Sequence, residues 1–302
     1  QCLNCHATWP HDRESSRPPV PLKFGVACEA CHGPGFAWDQ AHRREWWRLV
    51  TPEGKKSLGF NNVRDPVERA QICTSCHVGN LAEGKFVTHA MYAGGHPPLP
   101  GFEFSTFAAA MPVHWTPLRE KGDFRGKEPM TLDKDSGGDT QADFMRKFKL
   151  TANQMATSFR EANFGTSPHA YSGLPRFKDT VVTSVVVADA YARLVKNYAA
   201  DAQGENPKHA WPEFALYDCA SCHHELRSGK SFPQRPFGRG VVGRPPAQSW
   251  PLSLANLGVA HDAQYDPAKT KEAIAALTKT RENFELSLTR GQVFGIRKEV
   301  EV

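Results

Sequence analysis

Every cysteine in the chain falls into one pattern. Cys2/Cys5, Cys28/Cys31, Cys73/Cys76 and Cys219/Cys222 form four C-x-x-C pairs, and His6, His32, His77 and His223 follow them directly. None of the 8 cysteines is left over. This spacing suits a flat tetrapyrrole. Two thiols bond to the vinyl groups along one porphyrin edge, and the adjacent imidazole lies beneath the iron as its proximal ligand. Zinc ribbons and disulfide frameworks also use C-x-x-C pairs, but neither needs a histidine after each pair. With 13 histidines in 302 residues, four of four by chance has odds of roughly 3 in a million. A thioredoxin-type pair sits at one strand-to-helix turn and does not recur four times. The pattern therefore predicts four covalently attached haem c groups, held by the eight thiols, with His6, His32, His77 and His223 as proximal ligands.

Each iron has a sixth position, and the remaining histidines are His11, His42, His89, His96, His114, His169, His209, His224 and His261. Nine candidates for four places make bis-histidine ligation the default. Two strong-field imidazoles keep iron low-spin in both redox states and hold its potential below that of His/Met ligation. His42 lies near Trp38, Trp46 and Trp47, which could wall a haem. His89 and His96 flank a short Gly-rich segment, and His96 stands between Gly94-Gly95 and Pro97-Pro98, a rigid presentation suited to a ligand. His114 has Trp115 beside it. His224 follows His223, so it cannot serve the same iron but could reach another; His11 is close to the first site and could serve a neighbouring one. His169, His209 and His261 read as surface or hydrogen-bonded residues.

The elements that must position these groups are sparse. The chain has 24 glycines and 23 prolines, so the expected fold is mainly α with extensive loop and little or no sheet, organised around the four haems. Porphyrins would supply the apolar core that a loop-rich chain lacks, and the apo-protein should be largely unfolded. A haem-binding segment over 1–138 carries three motifs, and a helical segment over 139–302 carries the fourth, the two forming one compact unit. Residues 94–138 and 230–251 read as loop, with Arg235, Arg239 and Arg244 in the latter read mainly as solvated, and otherwise as counter-ions for propionates. Thr140-Gln141-Ala142-Asp143 reads as a capping box opening a helix with Phe144, Phe148, Met155 and Phe159 on one side. A second helix is expected over about 183–202, although its Val run could begin as a strand. Asp266-Pro267, followed by Ile274, Leu277, Phe284 and Leu288 and then Gly291, reads as a C-terminal amphipathic helix.

The net charge of +5 is a mild excess with no Lys/Arg block, which argues against nucleic acid. The longest apolar stretch, near Val181 to Val187, is too short and too interrupted for a transmembrane segment.

The string Gly25-Val26-Ala27-Cys28-Glu29-Ala30-Cys31-His32-Gly33-Pro34-Gly35, with His42 downstream, resembles the third-haem segment of the tetrahaem cytochrome c-554 family and of related bacterial multihaem cytochromes. The similarity continues through Cys73 to Gly79, through His89 to Leu99, through Phe102-Glu103 and Pro112 to Trp115, and through Trp211 to Phe214 before Cys219 to Leu226. It covers roughly residues 1–227 in order. It implies an extracytoplasmic electron carrier of closely stacked haems, and it supports His42, His89 and His96 as distal ligands. The haem of His6 resembles a five-coordinate site in that family, and whether His11, His114 or neither caps it stays open. Such relatives carry a further haem site upstream, so the expectation is that this segment is either missing here or lost.

The chemistry thus implies electron transfer by a periplasmic or extracellular cytochrome, since covalent haem attachment takes place outside the bacterial cytoplasmic membrane. Redox proteins are its expected partners. Copies of itself are a further expectation: with almost no chain before the first motif, a neighbour could complete that site and build an extracellular filament. The alternative is a haem enzyme acting on small nitrogen or sulfur oxides at an open iron, but no catalytic constellation is visible beyond the motifs.

Overall fold

Several of the helices start where the sequence supplies a proline or a hydrogen-bonding side chain. The structure, a computed structural model, describes residues 2–8, 22–113, 140–164, 175–223 and 247–253, with isolated positions up to 279. Its α-helices in chain order are α1 (Cys2–His6), α2 (Cys28–His32), α3 (Asp39–His42), α4 (Pro52–Ser57), α5 (Pro66–His77), α6 (His89–Ala93), α7 (Phe104–Ala110), α8 (Gln141–Lys147), α9 (Phe159–Phe164) and α10 (Pro175–Gln203). Asp65 caps α5, its Oδ1 accepting from the N–H groups of Val67 and Glu68 at 2.8 and 2.9 Å. Thr51 and Thr88 accept from the third residues of α4 and α6 in the same way.

The chain is mainly helical, as its composition implies. Among the described residues there is no strand, only the isolated antiparallel bridges Val50 with Met155, Asn80 with Lys85 and Tyr217 with Ala247. No described helix is long and apolar enough to cross a membrane.

Two compact units are present. The first comprises 1–69 and 108–178. At its centre Ala41, Val50, Phe144 and Leu150 are buried, with Trp46, Trp47, Phe148 and Met155 packed around them. Thr140 opens α8 through the capping box with Asp143, as the sequence predicts. The helix is shorter than its apolar spacing suggested. It ends at Lys147, and Lys149 takes a left-handed conformation with φ 54°. That reversal returns Leu150 and Met155 to the cluster by a route other than a continuous helix, and Phe159 starts α9.

The second unit comprises 70–107 and 179–302. The helix expected from about 183 begins earlier, at Pro175, and runs 29 residues. Its buried positions Val187, Tyr191, Leu194, Val195, Tyr198 and Ala202 recur at helical spacing. The Val run is helical, not extended. Thr183 and Ser184, which interrupt it, donate to the carbonyls of Asp179 and Val181 at 2.7 Å each, so burying them leaves no hydroxyl unpaired. The stretch 94–138 is not all loop: α7 forms on the Ala-rich run 104–110, with the Glu103 carboxylate accepting from the Ser105 and Thr106 N–H groups. Most of 230–251, its three arginines, and all but a few isolated positions of the C-terminal amphipathic segment lie outside the described residues.

Lys55 is a buried cation beside the first core, its ammonium 5.4 Å from the Trp47 ring centre. Burial, reinforced by Arg64, brings its pKa down to about 7 from 10.5. Its folded pKa is therefore below its unfolded value, and between these two values the unfolded chain holds more protons. Stability should rise with pH across that window. Lys55→Met should stabilise the protein at pH 6 by an amount on the order of a few kcal/mol, an advantage that shrinks as pH approaches 10. Denaturant titrations at both pH values would reveal it.

Candidate functional site

Cysteine, cysteine and histidine at i, i+3 and i+4 share one face of a single helical turn. Three motifs adopt that turn: the first is α1, the second is α2, and the third forms the last turn of α5. The fourth does not. Cys219–Ser221 is a 3-10 turn whose N-cap, Asp218, accepts from the Ala220 N–H at 3.1 Å, and the His223 N–H returns to the Cys219 carbonyl at 2.8 Å. None of the eight cysteines forms a disulfide.

In the first unit the two motifs are tied together by a residue the sequence did not single out. Thr8 is buried two residues after His6. Its N–H donates to Gly25 at 2.9 Å, and its Oγ1 accepts from Ala27, the N-cap of α2, at 2.6 Å. The C-terminal carbonyls of α2 are taken up by Asn61, whose Nδ2 donates to Cys31 and whose N–H donates to His32, both at 3.0 Å. Gly33 leaves the helix with φ 80°, where an added Cβ would collide with the Gly59 carbonyl. The His32 ring stacks on Phe60 at 5.3 Å and meets Trp38 edge-on at 6.4 Å. His42 joins the same aromatic group, 5.3 Å from Trp38. Its Nδ1 lies 2.6 Å from the Asp39 carbonyl. A carbonyl only accepts, so in the neutral ring this contact selects the tautomer with the proton on Nδ1, which leaves Nε2 as the nitrogen a metal could take.

In the second unit His77 stacks on Phe102 at 5.0 Å and meets Phe107 at 4.9 Å. Burial there pushes its imidazole pKa down, favouring the neutral, ligating form. His96 repeats the arrangement of His42, with Nδ1 2.7 Å from the Pro97 carbonyl. Gly79, just past the third motif with φ 135°, lets Leu194 of α10 approach the backbone where a Cβ would stand.

The fourth motif faces a histidine across an opening. The rings of His89 and His223 lie 6.2 Å apart. Two imidazoles on opposite faces of one metal, with metal–nitrogen bonds of about 2 Å and ring radii of about 1.1 Å, have centres about 6 Å apart. Both rings line a cavity of about 590 Å³, largely apolar, with Tyr92, Phe214, Tyr217, Cys219 and Cys222 around it. Glu213, also not foreseen, is buried and joins the two sides. Among the described residues no three His, Cys, Asp or Glu side chains converge on a bare ion. A porphyrin would bring its own ring nitrogens, and the residues here that could hold one are His89, His223, Cys219 and Cys222.

Of the predicted residues, His6, His32, His77, His223, His42, His89 and His96 lie among those described. His11, His114, His224, His169 and His261 lie outside them. His209 is hydrogen-bonded, as expected, by Asp201 at 3.0 Å and packs against Phe86 and Tyr198.

Residues 1–33 match the family described as cytochrome c554 and c-prime. That span holds the first two motifs and supports a c-type cytochrome. No curated protein and no solved structure matches the chain.

Gly33→Ala should destabilise the first unit by more than the ~1 kcal/mol of an ordinary Gly-to-Ala mismatch, since both its φ and the Gly59 carbonyl oppose the methyl group. A lowered midpoint in a thermal unfolding scan is the expected result.

Proposed function

We propose that this chain is a tetrahaem c-type cytochrome that carries electrons outside the cytoplasm. The observation that carries the reading is the pairing of His89 with His223 across an apolar cavity that also holds Cys219 and Cys222. Covalently bound haem c supplies one-electron chemistry at its iron. The thiols of Cys2, Cys5, Cys28, Cys31, Cys73, Cys76, Cys219 and Cys222 would hold the four groups. His6, His32, His77 and His223 are the proximal ligands in this reading, and His42, His89 and His96 are distal ones.

The chain's exposed apolar groups support it. Among the described residues nine large hydrophobics are exposed, and five of them, Leu3, Phe24, Val26, Phe36 and Phe214, lie within five residues of a motif. Apolar surface concentrated beside the attachment points is what a large flat cofactor covers. Bis-histidine ligation suits a carrier, because the coordination shell is the same in both redox states and little reorganises when the charge changes.

Intact-mass measurement should show the polypeptide plus four haems, and the oxidised protein should be dominated by low-spin ferric signals in electron paramagnetic resonance. A mass equal to the bare chain would overturn the proposal. His89→Ala should convert one haem to a high-spin form that binds carbon monoxide when reduced, leaving the other three as they were. His89→Met should raise the potential of that same haem.

A further inference from the structure

Glu213 is a buried carboxylate, 6% exposed, that joins two elements distant in the chain. Its Oε1 accepts from the N–H of Ala215 at 2.9 Å, inside the 3-10 turn Phe214–Leu216 that leads into the fourth motif. The same oxygen accepts from the N–H of His89 at 2.7 Å, across 124 residues. His89 is the first residue of α6, where a backbone N–H has no partner within its own helix. One oxygen atom thus holds both the approach to His223 and the residue whose ring faces it.

We propose, resting on the reading that His89 and His223 bind the same iron, that Glu213 is a positioning residue for the fourth haem. It sets the separation of the two axial imidazoles, and its buried charge holds that haem at low potential. A helix of five residues has little stability of its own. Without the carboxylate, α6 is free to draw the His89 ring away. The charge argument is separate. A negative group in a low-dielectric site favours ferric over ferrous iron, because the ferric state carries one more positive charge. The phenol of Tyr198 is pushed up first by burial and then by the Glu213 and Asp201 carboxylates.

Three variants of the full haem-loaded protein separate these roles. Glu213→Gln keeps an oxygen acceptor for both N–H groups and removes the charge. All haems should stay low-spin, while one midpoint potential in a spectroelectrochemical titration moves upward. Glu213→Asp keeps the charge but draws the oxygen back by one methylene. One low-spin signal should change its anisotropy or pass partly to high spin. Glu213→Ala removes the acceptor, and about one quarter of the total haem should become high-spin. Unchanged potentials in Glu213→Gln would overturn the electrostatic role. Unchanged spin signals in Glu213→Asp, or in a folded Glu213→Ala, would overturn the positioning role. His89→Ala distinguishes a failure of the underlying reading: if it leaves every haem low-spin, His89 is not a ligand and the inference falls with that assignment.

Discussion

Two thiols and an imidazole could meet one porphyrin only if a single turn of chain presented all three on one side, and three of the four C-x-x-C-H motifs form such a helical turn. A five-residue helix does not persist in water by itself. The third motif avoids the problem by ending a helix of twelve residues that Asp65 caps. The others are held from outside. Thr8 binds the entrance of α2, and Asn61 closes its exit. Before the fourth motif, the buried hydroxyl of Tyr191 donates to the Leu216 carbonyl at 2.6 Å and accepts from the Gln248 N–H at 3.2 Å. Each tether also satisfies a backbone group that a short helix leaves unpaired.

The same economy governs the histidines. A ligating imidazole must be neutral and must present one bare nitrogen. At His42 and His96 a backbone carbonyl lies within hydrogen-bond reach of Nδ1, which in the neutral ring selects the tautomer with Nε2 bare. At His77 burial against Phe102 and Phe107 disfavours the charged ring. These devices also fix ring orientation, so ligand geometry and protonation follow from one set of contacts. Aromatic side chains recur around them, Trp38 and Phe60 in the first unit and Tyr92 and Phe214 in the second, and keep the surroundings low in polarity.

Much of the site was legible without coordinates, because its chemistry is local. C-x-x-C-H is complete within five residues. The Gly-Gly and Pro-Pro that frame His96 mark a rigid bend, and Thr140 with Asp143 announces the start of α8. Legibility failed where the outcome depends on distant partners. The spacing of Phe144, Phe148 and Met155 reads as one helix face, yet they reach a common cluster through a left-handed turn at Lys149. The Ala-rich stretch of α7 was hidden by the Gly and Pro on either side of it, and Glu103 supplies the cap that starts it. Thr8, Asn61 and Glu213 are ordinary polar residues in the sequence, and nothing in their neighbours says what they hold.

What the chain alone determined is the pattern that points to the chemistry: four C-x-x-C-H motifs and nine further histidines that could face them. Those properties reside in residue type and short spacing, which no fold can alter. Which imidazole faces which motif was decided only in three dimensions. His89 approaches His223 beside a contact between Glu213 and a backbone N–H 124 residues away. A pairing at that range is set by the packing of whole elements, and local pattern carries no record of it.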